Sequence, residues 1–202
     1  MFGTLAKDKD EIGICRSMPR KAKRKSVAVK KPKAIKPIPP GFRTVTSYIV
    51  LNNASAAIEF YKNAFGAKEL MCHKTPDGKV MNAQIRIGDS VIMLSDEFQG
   101  SPTRAPTSLG GSTFTLHLYS NNVDKLWEKA VSAGAIITMP LDNQFWGERY
   151  GQIVDPFGHH WSLSQQIRID AKEMEEKRKV AMAMFASGEH QRKPETMPSG
   201  VG

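Results

Sequence analysis

Between residues 45 and 164 the chain lays out one order of secondary structure twice, and such a duplication narrows the possible folds more than any other feature of the sequence. In the first copy, residues 45–51 (VTSYIVL) are β-branched and aromatic and read as a strand. Asn52-Asn53 breaks it, and Ala56, Ala57, Phe60, Tyr61 and Ala64 then recur at helical spacing up to Gly66, a residue suited to a helix C-terminus. Residues 69–73, 80–87 and 91–94 read as three further strands, separated by Pro76-Asp77-Gly78 and by Gly88-Asp89. The second copy runs in the same order. A strand over 113–119 is followed by an Asn121-Asn122 break, a helix over 123–133 ending at Gly134, and strands over 136–139, 150–154 and 160–164. A shift of 68 places Asn53, Gly66 and Ala67 on Asn121, Gly134 and Ala135. Neither copy can bury its apolar face alone, so the pattern predicts an α+β fold of two βαβββ modules sharing a core.

The charge lies outside this duplicated region. Residues 1–40 hold twelve Lys or Arg against three Asp or Glu, which accounts for the whole formal charge of +9 among 202 residues. With many prolines and few large apolar groups, residues 1–41 are expected to be a disordered basic extension. It serves either as a solubilising tail or as a weak, non-specific nucleic-acid contact through residues 16–36. Met1 and Met18 both stand as starts, and residues 188–202 read as a disordered tail. No apolar run approaches the roughly 20 residues of a spanning helix, which argues against membrane insertion. Lys7, Asp8, Lys9, Asp10 and Glu11 occupy the place of a secretory signal's apolar core. Cys15 and Cys72 form neither a disulfide framework nor a zinc ribbon, and the expected location is cytoplasmic.

Three motifs carry a resemblance: AIEFYKNAFGA at 57–67, FWGERYG at 145–151 and DPFGHHWSL at 155–163. Over residues 42–168 the chain resembles the PhnB-like branch of the glyoxalase/bleomycin resistance/extradiol dioxygenase superfamily. The resemblance implies the vicinal oxygen chelate fold, in which two βαβββ modules form a cupped mixed sheet around a cavity, usually with a homodimer partner contributing. In the metal-dependent members, His, Gln or Glu ligands come from the first and last strand of each module. Counting from the helix and glycine motifs puts those positions at Thr46, Met93, Thr115 and Ser162. A thioether and neutral hydroxyls make a poor site for a hard divalent ion. A slip of one residue, to Val45 or Ser47 and to Trp161 or Leu163, supplies no better set. Neither a metal of the glyoxalase type nor any other cofactor is therefore expected, leaving open a different site that uses His117 and His160.

Strand alternation gives the cup its other lining. Tyr48 and Val50 share parity with Thr46, His117 and Tyr119 with Thr115, and His160 and Ser164 with Ser162. Tyr48, Met93, His117, Tyr119, Arg149, His160 and Ser162 are thus the candidate ligand-binding residues, the aromatic and His side chains serving either a small molecule or the core. Arg149 is the candidate clamp for a carboxylate or phosphate, Trp146 a rim or a dimer contact, and Glu97 and Glu148 the few acids near the cup. Residues 169–187 read as an amphipathic helix with a Glu175/Lys179 pair, packed on its own domain or across a dimer. These features favour metal-independent binding of a small aromatic or amphiphilic molecule, of the sequestration or resistance type. The competing readings are a lyase, isomerase or dioxygenase of unknown substrate, and nucleic-acid or acidic-surface association through the basic tail.

Overall fold

The structure, a computed structural model, describes residues 36–187. The expectations for most of the basic extension, including its nucleic-acid segment, and for residues 188–202 fall outside the described residues. Each module begins with a strand, β1 (Tyr48–Leu51) or β5 (Thr115–Tyr119). Helix α1 (Ala54–Phe65) then leads to β2 (Lys68–Lys74), β3 (Val80–Ile87) and β4 (Ser90–Asp96). Helix α3 (Val123–Ser132) leads likewise to β6 (Ile136–Gln144), β7 (Glu148–Val154) and β8 (His160–Gln166). Between the modules lies one short helix, α2 (Pro106–Leu109), and after them comes α4 (Ala171–Ser187). The two sheets have the orders β1-β4-β3-β2 and β5-β8-β7-β6, with β1/β4 and β5/β8 parallel and the other pairs antiparallel. The expected pair of βαβββ modules is present.

Local chemistry accounts for the helix ends. The Asn53 and Asn122 side chains accept the amides of Ala56 and Lys125, each at 3.0 Å, and so cap α1 and α3. Gly66 closes α1 at φ 66°, a left-handed conformation that costs glycine little. The second helix departs from the sequence reading. Its cap is Asn122 rather than Asn121, so the module shift is 69 at the caps, while Gly134 keeps the shift of 68. Ala133, in right-handed geometry, ends the helix before that glycine. Strand β6 runs on past Met139 to Gln144, with register breaks between Ile137 and Met139 and between Met139 and Asp142. Pro140, which has no N–H to give a ladder, sits inside the second break of this edge strand.

One core serves both modules. Leu51, Tyr61, Ile85 and Leu94 from the first and Ile153, Trp161 and Leu163 from the second are all buried in it. The Trp161 ring lies 4.6 Å from that of Phe65 and 5.5 Å from that of Tyr61, centroid to centroid. Buried Asp155 accepts Tyr61 Oη–H at 2.8 Å and Trp161 Nε1–H at 2.9 Å on one oxygen, and the amides of Phe157 and His159 on the other. Gly151 leaves room for Trp127 of α3, since a Cβ there would lie 2.5 Å from the indole ring. Helix α4 does not pack over its own domain, contrary to one of its two expected positions. None of its residues is buried, and Met174, Val180, Met182 and Met184 are exposed. Its charges pair along the helix, Glu175 with Arg178 and Lys179, and Lys177 reaches Asp142 of β6 at 3.4 Å. No helix among the described residues is long and apolar enough to cross a membrane.

Candidate functional site

Strand register decides which side chains meet. Tyr48 of β1 lies beside Met93 of β4, and His117 of β5 lies beside Ser162 of β8. The first-strand positions are therefore Tyr48 and His117 rather than Thr46 and Thr115, a slip of two residues that keeps the face but changes the chemistry. Thr46 precedes β1, its hydroxyl donating to the Arg43 carbonyl at 3.1 Å, and Thr115 lies beside His160 at the start of β8.

On the second sheet, the face turned away from the core gathers a polar and aromatic cluster. His117 Nδ1 and Ser162 Oγ share a hydrogen bond of 2.7 Å. The His117 ring is 4.5 Å from Tyr119 and 5.9 Å from Tyr150, stacked on the latter, and Trp146 meets Tyr150 edge-on at 5.5 Å. Gln152 Nε2 donates to the Tyr150 hydroxyl at 2.7 Å. Glu148 anchors one end, accepting Tyr119 Oη–H at 2.8 Å, Ser164 Oγ–H at 2.9 Å and Trp146 Nε1–H at 3.1 Å. Burial by itself would push the Glu148 carboxyl up. The bonds from Tyr119, Ser164 and Trp146, with the charge of His117, outweigh that and hold it below its ordinary range. The bond to Glu148 pushes the Tyr119 phenol up in turn, as burial and the carboxylate charge also do. The result is a carboxylate held ionised at the edge of an aromatic wall.

The sequence-derived candidates divide accordingly. His117, Tyr119 and Ser162 belong to this cluster, and His160 lies on the same face one alternation further along β8. Tyr48 and Met93 adjoin each other on the other sheet. Arg149 is turned away, because alternation along β7 sends Glu148 and Tyr150 to one face and Arg149 to the other. Its guanidinium grips Asp124 of α3 through Nε and Nη2, at 2.6 to 3.0 Å, and donates to Asn143 Oδ1 at 3.3 Å. That pairing lowers the Asp124 carboxyl and removes Arg149 as a free anion clamp. The central place of Glu148 and the part played by Tyr150 were missed. Both follow from the pairing of Tyr150 with Ser164 and of Glu148 with Gln166, which no local pattern specifies.

These residues do not fit a chelated divalent ion, which needs several strong donors converging on one point. The four corrected positions supply a phenol, a thioether, a hydroxyl and one imidazole whose Nδ1 is already bonded to Ser162. Among the described residues, no three His, Cys, Asp or Glu side chains come together as a metal site. Ser162 is buried, and its hydroxyl is engaged by His117.

Comparison with known proteins places the fold. The Mycobacterium bovis protein Mb0911c is 43% identical over 127 residues, covering 61% of this chain and 84% of its own. A solved gene product of Arabidopsis thaliana is 25% identical with a TM-score of 0.50, over 61% of this chain and 98% of that one. The Bacillus cereus structure described as a putative 3-demethylubiquinone-9 3-methyltransferase, PhnB protein, shares the fold at 18% identity and a TM-score of 0.50, over 61% and 99%. The family model for the Glyoxalase/Bleomycin resistance protein/Dioxygenase superfamily matches residues 43–163, more than half of the chain. On that match and on the paired modules, the chain belongs to the glyoxalase/bleomycin resistance protein/dioxygenase superfamily.

Proposed function

We propose that this protein binds a small planar aromatic or amphiphilic molecule, without a metal, on the outward face of β5, β8 and β7. The observation that carries the reading is Glu148, an ionised carboxylate fixed by three donors beside the rings of Trp146, Tyr119, Tyr150 and His117. Aromatic walls take planar ligands by offset or edge contacts. A carboxylate has about four acceptor positions, and three of those on Glu148 are filled, which leaves one for a ligand N–H or ammonium. Tyr119 is 65% exposed and Trp146 46% exposed, so the face stands open on a single chain. A second copy of the chain closes it, in the homodimer expected from the sequence.

Thermal-shift measurements on the full chain test this, with proflavine as a planar cation and anilinonaphthalene sulfonate as a planar anion. At about one hundred times its Kd, a ligand adds roughly 2.7 kcal/mol to the stability of the native state. Proflavine should raise Tm equally with and without EDTA, and Glu148→Gln should remove most of that rise. A rise that needs a divalent ion, or one that Glu148→Gln leaves untouched, would defeat the proposal.

A further inference from the structure

The two modules are not equally finished where the first strand of one meets the other module. In a parallel pair, alternate residues turn their N–H and C=O to the neighbour and the rest turn them outward. Strand β1 receives Met93 N–H on Ser47 O at 2.9 Å and Glu97 N–H on Leu51 O at 2.8 Å, so Tyr48 and Val50 face outward. That edge is covered by this chain itself. His159 Nε2–H donates to the Val50 carbonyl at 3.1 Å, and linker residues Thr103, Pro106, Leu109 and Phe114 close over the strand, leaving a cavity of only about 210 Å³.

Strand β5 pairs in the same way, Ser120 N–H reaching Ser164 O at 2.8 Å, so His117 and Tyr119 turn their backbone groups outward. The shift of 69 that carries Val50 to Tyr119 carries His159 back to Ser90 and Phe114 back to Val45. Ser90 has no ring to offer, and its hydroxyl donates to Asp89 at 2.9 Å. Val45 is 87% exposed. Among the described residues, the counterpart of the 103–109 linker does not line this junction, which on that side is bounded by Arg43, Val45, Thr46 and Ser47. What remains is a cleft of about 570 Å³ whose apolar lining includes Phe65, Ile92, Leu116, Leu118, Leu126 and Trp161. That volume falls within the range of ligand-binding cavities.

We infer that this cleft is a receptor groove for an extended hydrophobic peptide that adds as a strand to the free edge of β5. Two observations select a peptide over a compact apolar molecule. The outward N–H and C=O groups of His117 and Tyr119 repeat at strand spacing, which a peptide backbone matches and a hydrocarbon does not. The equivalent edge of β1 is covered by polypeptide. Side chains of an added strand would alternate, one set over Leu116, Leu118 and Trp161 and the other beside the His117 and Tyr119 side chains, so the sequence taken alternates apolar and polar residues. The inference does not depend on Glu148 or on the ligand proposed for its face.

The test uses the full chain and a capped, fluorescein-labelled peptide Thr-Val-Thr-Val-Thr, followed by anisotropy, together with its two alternately N-methylated forms. Only one edge of an added strand pairs, so one methylated form should lose at least tenfold in affinity while the other keeps it. Ser90→His with Val45→Phe, which gives this junction the two rings found at the other, should cost at least tenfold in peptide affinity with Tm unchanged. Equal behaviour of the two methylated forms would mean an apolar cavity that reads no backbone, and would overturn the inference. Undiminished binding by the Ser90/Val45 variant, or no binding up to about millimolar peptide, would overturn it as well.

Discussion

Tyr61→Phe removes one oxygen from the middle of the molecule and leaves the ring in place. Tyr61 is fully buried on α1, and its hydroxyl crosses to the second module to donate to Asp155 at 2.8 Å. Without it, Asp155 still accepts Trp161 Nε1–H and the amides of Phe157 and His159. The carboxylate is therefore not left bare, and the cost is that of one hydrogen bond to a charged group, about 1.5–3 kcal/mol. It should fall short of the roughly 3–5 kcal/mol that follows from stranding a buried charge. At about 2–4 °C per kcal/mol for a chain of this size, Tm should drop by about 3–12 °C. Urea denaturation followed by tryptophan fluorescence measures the same loss at fixed temperature. A second signature lies at high pH. Burial, then the Asp155 charge and the bond to it, push the Tyr61 phenol well above its ordinary value of 10.0. The folded state thus keeps a proton that the unfolded state releases from about pH 10 upward. Its contribution is complete below that pH and is lost as pH rises towards the folded pKa. Tyr61→Phe lacks this component, so the stability gap between the two proteins should narrow above about pH 10. A variant within about 0.5 kcal/mol of wild type at neutral pH, or a gap that stays constant into alkali, would refute the reasoning.

Gly151→Ala would set a Cβ 2.5 Å from the Trp127 ring and 2.9 Å from Leu141 Cα. We expect a loss of about 1–3 kcal/mol in urea denaturation, and an unchanged midpoint would show that the α3–β7 contact yields freely. Burial lowers the pKa of His159, more than the Asp155 charge and the bond to Val50 raise it, with the charge of His160 adding to the lowering. Stability should accordingly fall as pH drops through the unfolded value near 6.5. His159→Gln should flatten that slope, and an identical acid limb in both proteins would count against it. Arg149→Ala breaks an ion pair whose partners are 30% and 54% exposed. It should cost less than about 1 kcal/mol and leave the proflavine shift intact, whereas loss of that shift would return Arg149 to the site.

What the sequence made legible was local. The βαβββ order, the break at Asn52-Asn53 and the helix end at Gly66 each depend on a few neighbouring residues, and each is found in the structure. Register was not legible, because the parallel pairing of β1 with β4 and of β5 with β8 is fixed by how whole elements pack. Thr46 and Thr115 are two residues from the positions that lie beside Met93 and Ser162, a distance no propensity detects. Starting the seventh strand at Tyr150 rather than Glu148 left Glu148 named as an acid near the cup but without a strand face or partners. Arg149 misled for a related reason: a guanidinium beside a cup is a good anion clamp only if it faces the cup, and its neighbour Glu148 does so instead. Helix α4 kept its predicted helicity but does not bury its stripe on its own domain, since an amphipathic stripe states that a face can be buried and not what covers it.

Comparing the two copies of the module locates the chemistry more sharply than either copy alone. Gln84 beside Met93 and Gln152 beside Ser162 occupy matching places in the two sheets. Two residues back the third strands match Asn82 to Tyr150, and the first strands match Tyr48 to His117 and Val50 to Tyr119. The match ends there, because a bulge pairs His73 with Asn82 and the next residue, Lys74, with Val80, which turns Val80 into the core instead of into the place of Glu148. The first module therefore bulges where the second places its carboxylate, and has a buried valine, Val50, where the second has the phenol that holds that carboxylate. The outward face of the first sheet thus gathers Tyr48, Met93, Gln84 and Asn82, and that of the second a charge and its donors. A ligand's hydrogen-bond donor would meet an ionised carboxylate on the second sheet but a neutral amide on the first, where the buried Asn82 Oδ1 has no partner among the described residues, so the charge and not the mere presence of an acceptor tells the two faces apart.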